Sequence, residues 1–331
     1  MPLSVFPHPL VIAHRGASGE RPEHTRAAYE LAIEQGADVI EPDLVMTGDG
    51  RLIVRHENEI GGTTDVADRP EYAHRRTTKA IDGVEVTGWF TEDFTLAELK
   101  TLRARERLPE LRPANTGFDG AEPILTFGEV IAIAREASGR TGRVIGVAPE
   151  LKHPAYFAAI GLLMENPFVA ALETEGWTGP DAPVLVQCFE VEPLRRLRAR
   201  IAAPLLQLIA AGAGPWDRPG LTPAAMLAPD GLAAIAAYAD VLGLEDRLVI
   251  PRGDDGSVLP GAPVVADAHA AGLQVHVWTL RAENAFLPLD HRRGDDPAAH
   301  GDLAAWTRAL YAAGVDGVFS DFPGVALQAR D

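Results

Sequence analysis

The first 56 residues contain three short apolar runs, each of which ends in side chains suited to acid–base or ionic chemistry. His14 and Arg15 end the first run, Glu41 and Asp43 the second, and His56 the third. In a (β/α)₈ barrel the interior is packed, so chemistry takes place at the carboxyl ends of the strands and in the loops that follow them. This placement of polar residues predicts an enzyme.

Three acidic residues form a candidate metal site. Glu41 and Asp43 are two apart in an apolar run, so the alternation of a strand puts both carboxylates on one face. Glu150 ends a later run and supplies a third carboxylate. Inward-pointing acids are costly without a cation or basic partner, and three carboxylates with water suit Ca²⁺ or Mg²⁺. The alternative is that these acids form salt bridges with Arg15 or Lys152.

The elements that must position these residues follow a repeated strand–helix pattern. Eight strand-like runs occur, at 11–14, 39–44, 144–151, 184–189, 205–209, 240–245, 273–280 and 314–321. Amphipathic helical stretches lie between them, for example at 25–36, 264–272 and 302–313. The pattern predicts an α/β fold, a closed parallel TIM (β/α)₈ barrel, with residues 1–331 forming a single catalytic domain.

Residues 57–125 interrupt this rhythm. Within them, Thr95 and Glu98 form a capping-box pattern at the start of a short helix, and the rest lacks sustained periodicity. A connection of this length is uncommon unless it has a function or a structure of its own. We expect an inserted segment, after the second barrel strand, that lies on the catalytic face, covers the site and helps to select the substrate.

Charge and composition exclude several classes of protein. The chain has 30 Lys and Arg against 47 Asp and Glu, a formal charge of −17, which disfavours nucleic acid and anionic membrane surfaces as partners. The single cysteine, Cys188, excludes an intramolecular disulfide. No apolar run approaches the roughly 20 residues that span a bilayer, so no membrane insertion is expected. The chain as given has no recognisable signal peptide; its location stays open between the cytoplasm and, if a leader is removed, the periplasm or exterior.

The ordered motifs AHRG, PEHT, EPDL, RH at 55–56, PELK, QCF, VWT and GVDGVFSDFP resemble the glycerophosphodiester phosphodiesterase family. The resemblance runs from about Val11 to Pro323. The long insertion, LLQLI and YAD are most similar to the bacterial branch typified by periplasmic enzymes. The resemblance implies a TIM barrel that hydrolyses glycerophosphodiesters to glycerol 3-phosphate and an alcohol.

The resemblance also implies roles for individual residues: metal ligands Glu41, Asp43 and Glu150, an acid–base pair His14 and His56, and phosphate-binding Arg15 and Lys152. The implied cofactor is one divalent ion, Ca²⁺ or Mg²⁺. One position departs from the family, which usually has asparagine where the PEHT motif has His24. An imidazole can replace an amide as a hydrogen-bond partner, but its size and titration differ.

Other residues are weaker candidates. Gln187 and Phe189 end the fourth strand on one face and are expected to contact substrate. Trp278 ends the seventh strand, where it packs either against substrate carbons or in the barrel core. Asp321 is expected to cap the last helix, and His153 to point away from Lys152.

The leading hypothesis is metal-dependent hydrolysis of small glycerophosphodiesters, such as glycerophosphocholine or glycerophosphoethanolamine. Two histidines with unperturbed pKa values near 6.5 can act as acid and base near neutrality. Which one is the acid, and whether a cyclic phosphate forms, stay open. One alternative is a related barrel lyase acting on intact lipids, which the acidic charge disfavours. Another is a catalytically silent barrel, which would be expected to lack a histidine or a metal carboxylate.

Overall fold

The computed structural model describes residues 6–330. Its strands are Leu10–His14 (β1), Val39–Glu41 (β2), Asp43–Met46 (β3), Leu52–Val54 (β4), Thr77–Ile81 (β5), Val84–Gly88 (β6), Gly146–Val147 (β7), Glu150–Leu151 (β8), Val186–Cys188 (β9), Leu205–Ile209 (β10), Val241–Glu245 (β11), Gln274–Leu280 (β12) and Gly317–Ser320 (β13). All eight predicted strands are found.

The α-helices are Arg26–Gln35 (α1), Leu96–Leu99 (α2), Phe127–Thr141 (α3), Pro154–Ala159 (α4), Glu165–Glu175 (α5), Val191–Arg198 (α6), Pro223–Met226 (α7), Pro229–Ala236 (α8), Asp246–Val249 (α9), Val264–Ala270 (α10), Leu303–Ala312 (α11) and Pro323–Arg330 (α12). Short 3₁₀ helices lie at Val66–Asp68, Pro70–Arg75, Thr91–Asp93, Pro113–Phe118 and Leu289–His291. None of the helices in residues 6–330 is both long enough and apolar enough to cross a membrane.

The predicted strands close into a ring. β1 pairs in parallel with both β13 and β2, and β9 to β13 pair in sequence order. The second and third predicted strands are each split in two: β2 pairs with β7, and β3 with β8, which then pairs with β9. Pro42 and Pro149 lie at the two breaks, where a residue without an amide N–H interrupts the ladder. The fold is therefore the expected TIM barrel.

Alternation along the strands explains how apolar runs end in polar groups. Leu10 and Ile12 of β1 belong to a buried cluster that also contains Val39 and Phe319. Two residues beyond Ile12, the same face of β1 presents His14. The interior of the barrel is thus filled by aliphatic and aromatic side chains, and the next inward position at the carboxyl end is polar.

The inserted segment, residues 57–125, follows β4, which pairs antiparallel with β3. It contains the predicted helix α2, with both hydrogen bonds of the Thr95–Glu98 capping box. It also contains a hairpin that our sequence analysis missed, β5–β6, whose two-residue turn is Asp82–Gly83 with φ values of 47° and 79°. Asp-Gly is a favoured sequence for such a turn. Phe94 of this segment packs in the main hydrophobic core.

Candidate active site

Strand register brings the acidic residues together at the carboxyl end of the barrel. His14 lies opposite Glu41, Asp43 opposite Glu150, and Glu150 opposite Gln187. Carboxylate oxygens of Glu41, Asp43 and Glu150, here called the acidic triad, lie within 4.8 Å of one another, and all three residues are buried. The period-two spacing of Glu41 and Asp43 therefore does bring their carboxylates together, although Pro42 divides the strand between them.

Salt bridges to Arg15 and Lys152, the alternative to a metal site, account for only part of the acidic triad. Lys152 Nζ lies 2.8 Å from Glu150 Oε1, and Arg15 Nε lies 3.1 Å from Asp43 Oδ2. Glu41 instead accepts hydrogen bonds from the Arg15 backbone N–H and, at 3.2 Å, from Gln187 Nε2. Two basic side chains thus face three carboxylates, so the salt bridges do not account for the whole cluster.

The donor set fits a hard divalent cation. Asp43 Oδ1 is buried and has no hydrogen-bond partner within residues 6–330, as expected of an oxygen that is free to bind a metal ion. Burial raises the pKa of Glu150 to about 8, and burial together with the charge of Asp43 raises the pKa of Glu41. A bound cation would favour the ionised forms of both groups.

The two histidines each have a carboxylate on Nδ1. His14 Nδ1 lies 2.6 Å from Asp321 Oδ1, while His56 Nδ1 contacts Glu57 and its Nε2 lies 3.2 Å from Lys152 Nζ. Burial, followed by the charge of Arg15, lowers the pKa of His14 to about 4 and that of His56 to about 3. These lowered pKa values favour the neutral imidazole, the form that can accept a proton.

A cavity of about 200 Å³, here called the active-site cavity, contains most of the predicted site. Of the ten residues predicted, all but Asp43 line it: His14, Arg15, Glu41, His56, Glu150, Lys152, Gln187, Phe189 and Trp278. The rings of Phe189 and Trp278 meet edge to face, 5.5 Å apart, and the Trp278 indole N–H donates to Gly243 O. Trp278 therefore forms part of an aromatic wall rather than being enclosed in the core.

The expectation that Asp321 caps the last helix is wrong. Its Oδ2 binds Arg112 at 2.6 Å and Arg281 at 3.0 Å, while Oδ1 binds His14. The helix α12 begins two residues later, at Pro323. Because β13 pairs with β1, Asp321 lies beside His14 at the carboxyl end of the barrel.

Glu23 of the PEHT motif links a predicted phosphate-binding residue to the inserted segment. Glu23 binds Arg15 Nη1 at 2.8 Å and also Arg107, whose Nη2 lies 2.6 Å from Glu57. Sequence analysis did not select Glu23, although its motif marked it, and Arg107 carries no local signal. The role of Arg107 follows only from the folding of the inserted segment onto the barrel.

His24, the residue that departs from the family pattern, is fully buried beside the acidic triad. Its Nε2 lies 2.9 Å from Asp43 Oδ2 and its Nδ1 lies 2.9 Å from the Tyr29 hydroxyl. Its backbone is left-handed, with φ of 60°, a conformation in which Asn, Asp and His are enriched among non-glycine residues. His24 therefore holds one candidate metal ligand through a hydrogen bond.

Residues 14–325 match the model of the glycerophosphoryl diester phosphodiesterase family. The chain belongs to this family. It is therefore an enzyme, as the residue pattern predicted, and a phosphodiesterase, as the resemblance implied. Among curated members of the glycerophosphodiester phosphodiesterases, it is 37% identical to GDPD6 of Arabidopsis thaliana, over 96% of this chain and 84% of the relative. It is 28% identical to the enzyme of Haemophilus influenzae, over 96% of this chain and 89% of the relative.

Solved structures share the fold. A phosphodiesterase of Oleispira antarctica, solved in complex with the product sn-glycerol-3-phosphate, has a TM-score of 0.63 at 23% identity, covering 98% of this chain and 97% of that one. A glycerophosphodiester phosphodiesterase of Agrobacterium tumefaciens has a TM-score of 0.59 at 19% identity, covering 97% and 99%. These likenesses agree with the TIM barrel of a glycerophosphoryl diester phosphodiesterase.

Proposed function

We propose that this protein hydrolyses small glycerophosphodiesters, such as glycerophosphocholine or glycerophosphoethanolamine, to glycerol 3-phosphate and an alcohol, with the help of one divalent ion. The observation that carries the proposal is the convergence of two histidines, two carboxylates of the acidic triad and two basic side chains on one cavity, with the third carboxylate, Asp43, within 4.8 Å of the other two. The names of the relatives and the product bound to the Oleispira antarctica enzyme support the substrate class.

The acidic triad is proposed to hold the ion, Ca²⁺ or Mg²⁺, which when bound would polarise a phosphoryl oxygen. Arg15 and Lys152 line the same cavity and carry positive charge toward the phosphate. Their ion pairs with Glu23 and Glu150 hold them in place. The basic groups therefore offset the charge that develops on the phosphate oxygens.

His14 and His56 are proposed as the acid–base pair. Asp321 and Glu57 bind the Nδ1 atoms and so orient the two rings; Nε2 of His14 is then available for proton transfer, and Nε2 of His56 lies 3.2 Å from Lys152 Nζ. One neutral imidazole takes the proton of the attacking hydroxyl, and the other histidine, once protonated, gives a proton to the leaving alkoxide. The attacking hydroxyl belongs either to water or to the neighbouring glycerol carbon, and product analysis distinguishes the two.

Phe189, Trp278 and Gln187 are proposed substrate contacts. The two aromatic rings form one wall of the active-site cavity and suit the carbon atoms of glycerol. Gln187 Nε2 donates hydrogen bonds to Glu41 and to the carbonyl oxygen of Ala148. Besides lining the cavity, Gln187 therefore holds a proposed metal ligand.

We also propose that residues 1–331 form a single catalytic domain and that the inserted segment is part of its catalytic face. Two arginines of that segment support this arrangement. Arg107 binds Glu23, and Arg112 binds Asp321 and, at 2.5 Å, Glu283. Of these partners, Glu23 contacts Arg15 and Asp321 contacts His14. Glu283 lies in the loop after β12.

The test is release of glycerol 3-phosphate from glycerophosphocholine by the purified protein, after EDTA treatment and after addition of Ca²⁺ or Mg²⁺. We expect metal-restored activity that His14→Ala and His56→Ala each abolish. His74→Ala, at an exposed histidine outside the cavity, is the matched control and should retain full activity. No hydrolysis of several glycerophosphodiesters with either ion would contradict the proposal.

A further inference from the structure

A second cavity, here called the side cavity, adjoins the active-site cavity. Its volume is about 230 Å³, and it shares Glu150, Lys152 and Phe189 with its neighbour. Beyond these shared residues its wall includes Asp82 of the inserted segment and Trp216 of the loop after β10. Lys152, a proposed phosphate-binding residue, therefore lies at the boundary between the two cavities.

The inserted hairpin and Trp216 build the outer part of the side cavity together. A methyl group placed on Gly83, in the β5–β6 turn, would lie 2.8 Å from the indole ring of Trp216. The ring thus lies against the turn that carries Asp82, and half of Trp216 remains exposed. An aromatic ring is in this way held at the mouth of a cavity next to the proposed phosphate position.

The side cavity has more acidic than basic groups: the carboxyl groups of Asp82, Glu150 and Glu190 line it beside a single lysine, Lys152. Asp82 Oδ2 binds His153 Nδ1 at 2.6 Å, whereas Asp82 Oδ1 has no hydrogen-bond partner among the residues that the structure describes. Glu190 is almost completely buried and accepts the Ala155 N–H at 3.1 Å and 3.2 Å. The positive Lys152 already contacts Glu150.

Glu190 is a buried carboxyl group whose negative charge a nearby cation would favour. Burial, followed by the negative charges of Asp217 and Asp82, raises the pKa of Glu190 to about 8. A cation placed between these groups would favour the carboxylate form and would be attracted by it. Trp216, half exposed at the mouth, adds a ring face of the kind that binds ammonium groups, whereas the Phe189 ring already has Lys152 Nζ 5.6 Å from its centroid.

We propose that the side cavity is the subsite for the leaving alcohol and that it selects head groups carrying a cationic amine, such as a quaternary or primary ammonium. This inference rests on the proposed function. Trp216 and Asp82 determine specificity in it and take no part in bond breaking. The inserted segment therefore contributes to substrate choice through the tip of its hairpin.

The first measurement compares kcat/KM for glycerophosphocholine with kcat/KM for glycerophosphoglycerol, whose head group is neutral, using the protein with added Ca²⁺ or Mg²⁺. Trp216→Ala should lower the value for glycerophosphocholine about 10-fold, the effect of losing a partly desolvated cation–π contact, and should change that for glycerophosphoglycerol less than about 2-fold. Asp82→Asn, which keeps a polar partner for His153, should act in the same direction. Glu85→Gln, at an exposed acid of the same hairpin, should affect neither substrate.

The second measurement is calorimetric binding of choline to the metal-loaded protein, which does not depend on turnover. We expect binding to the wild type and to Glu85→Gln, and its loss in Trp216→Ala. Equal losses on the two substrates, or choline binding that survives Trp216→Ala, would overturn the subsite. Absence of hydrolysis of either substrate, with choline binding still dependent on Trp216, would instead contradict the proposed function and leave the cation site standing.

Discussion

His14 Nδ1 lies 2.6 Å from Asp321 Oδ1, although the two residues are 307 positions apart in the chain. The contact exists because the last barrel strand pairs with the first, which places the residue after β13 beside the last residue of β1. Asp321 is held in turn by Arg112 and Arg281. A carboxylate fixed in this way selects the orientation and tautomer of the imidazole.

Asp321→Asn should lower kcat because it weakens the hydrogen bond that orients His14 and leaves the proposed substrate contacts in place. We expect a loss of roughly 100-fold, the lower end of what a positioned acid or base contributes, with little change in KM. Steady-state kinetics on glycerophosphocholine measure this, with Asp254→Asn, at an exposed position, as control. A variant as active as the wild type would show that the contact does not assist proton transfer.

Ca²⁺ or Mg²⁺ should raise the thermal stability of the protein through the acidic triad. Binding to the folded state alone stabilises it by about 2.7 kcal/mol when the ion is at 100 times its Kd. Differential scanning fluorimetry after EDTA treatment should show a rise in Tm on adding the ion. The rise should disappear in Asp43→Asn, which alters the buried oxygens, and persist in Glu85→Gln. An equal shift in both variants would place the ion elsewhere.

His24→Asn should retain activity within about 10-fold, because asparagine tolerates a left-handed backbone and its amide can donate to Asp43. His24→Ala should lose more, since it leaves Asp43 and the Tyr29 hydroxyl without their shared partner. The comparison requires kcat at saturating metal, together with the metal concentration that gives half-maximal activity. Equal activity of the two variants would mean that the hydrogen bond to Asp43 is dispensable.

Acid should destabilise the protein partly through His276, which is fully buried in β12. Both of its ring nitrogens lack hydrogen-bond partners within the described chain, and burial lowers its pKa from 6.5 to about 4. The unfolded state therefore binds a proton first as the pH falls below 6.5, and the stability present above that pH is lost toward pH 4. The loss amounts to roughly 2–3 kcal/mol at pH 4.5.

Urea unfolding of His276→Leu at pH 7.5 and 4.5 tests this assignment. The difference in the free energy of unfolding between the two pH values should shrink relative to the wild type, whereas His74→Leu, at an exposed histidine, should leave it unchanged. An unchanged difference in His276→Leu would assign the acid sensitivity to other groups.

Much of the architecture could be predicted from the sequence because its signals are local. Short apolar runs separated by amphipathic stretches marked all eight barrel strands, and Thr95 and Glu98 marked the start of α2. Period-two spacing placed Glu41 and Asp43 on one face. The Asp82–Gly83 pair was an available hairpin signal that the sequence analysis did not use.

By itself, the sequence determined which strands end in His14, Glu41, Asp43 and Glu150, since the order of apolar and polar residues along each strand decides this. Only the tertiary structure decided that Asp321 holds His14, that Arg107 joins Glu23 to Glu57, and that Trp216 lies against the inserted hairpin. These contacts depend on closure of the barrel and on the folding of the inserted segment over it. Pairs so distant along the chain leave no periodic pattern in the residues between them.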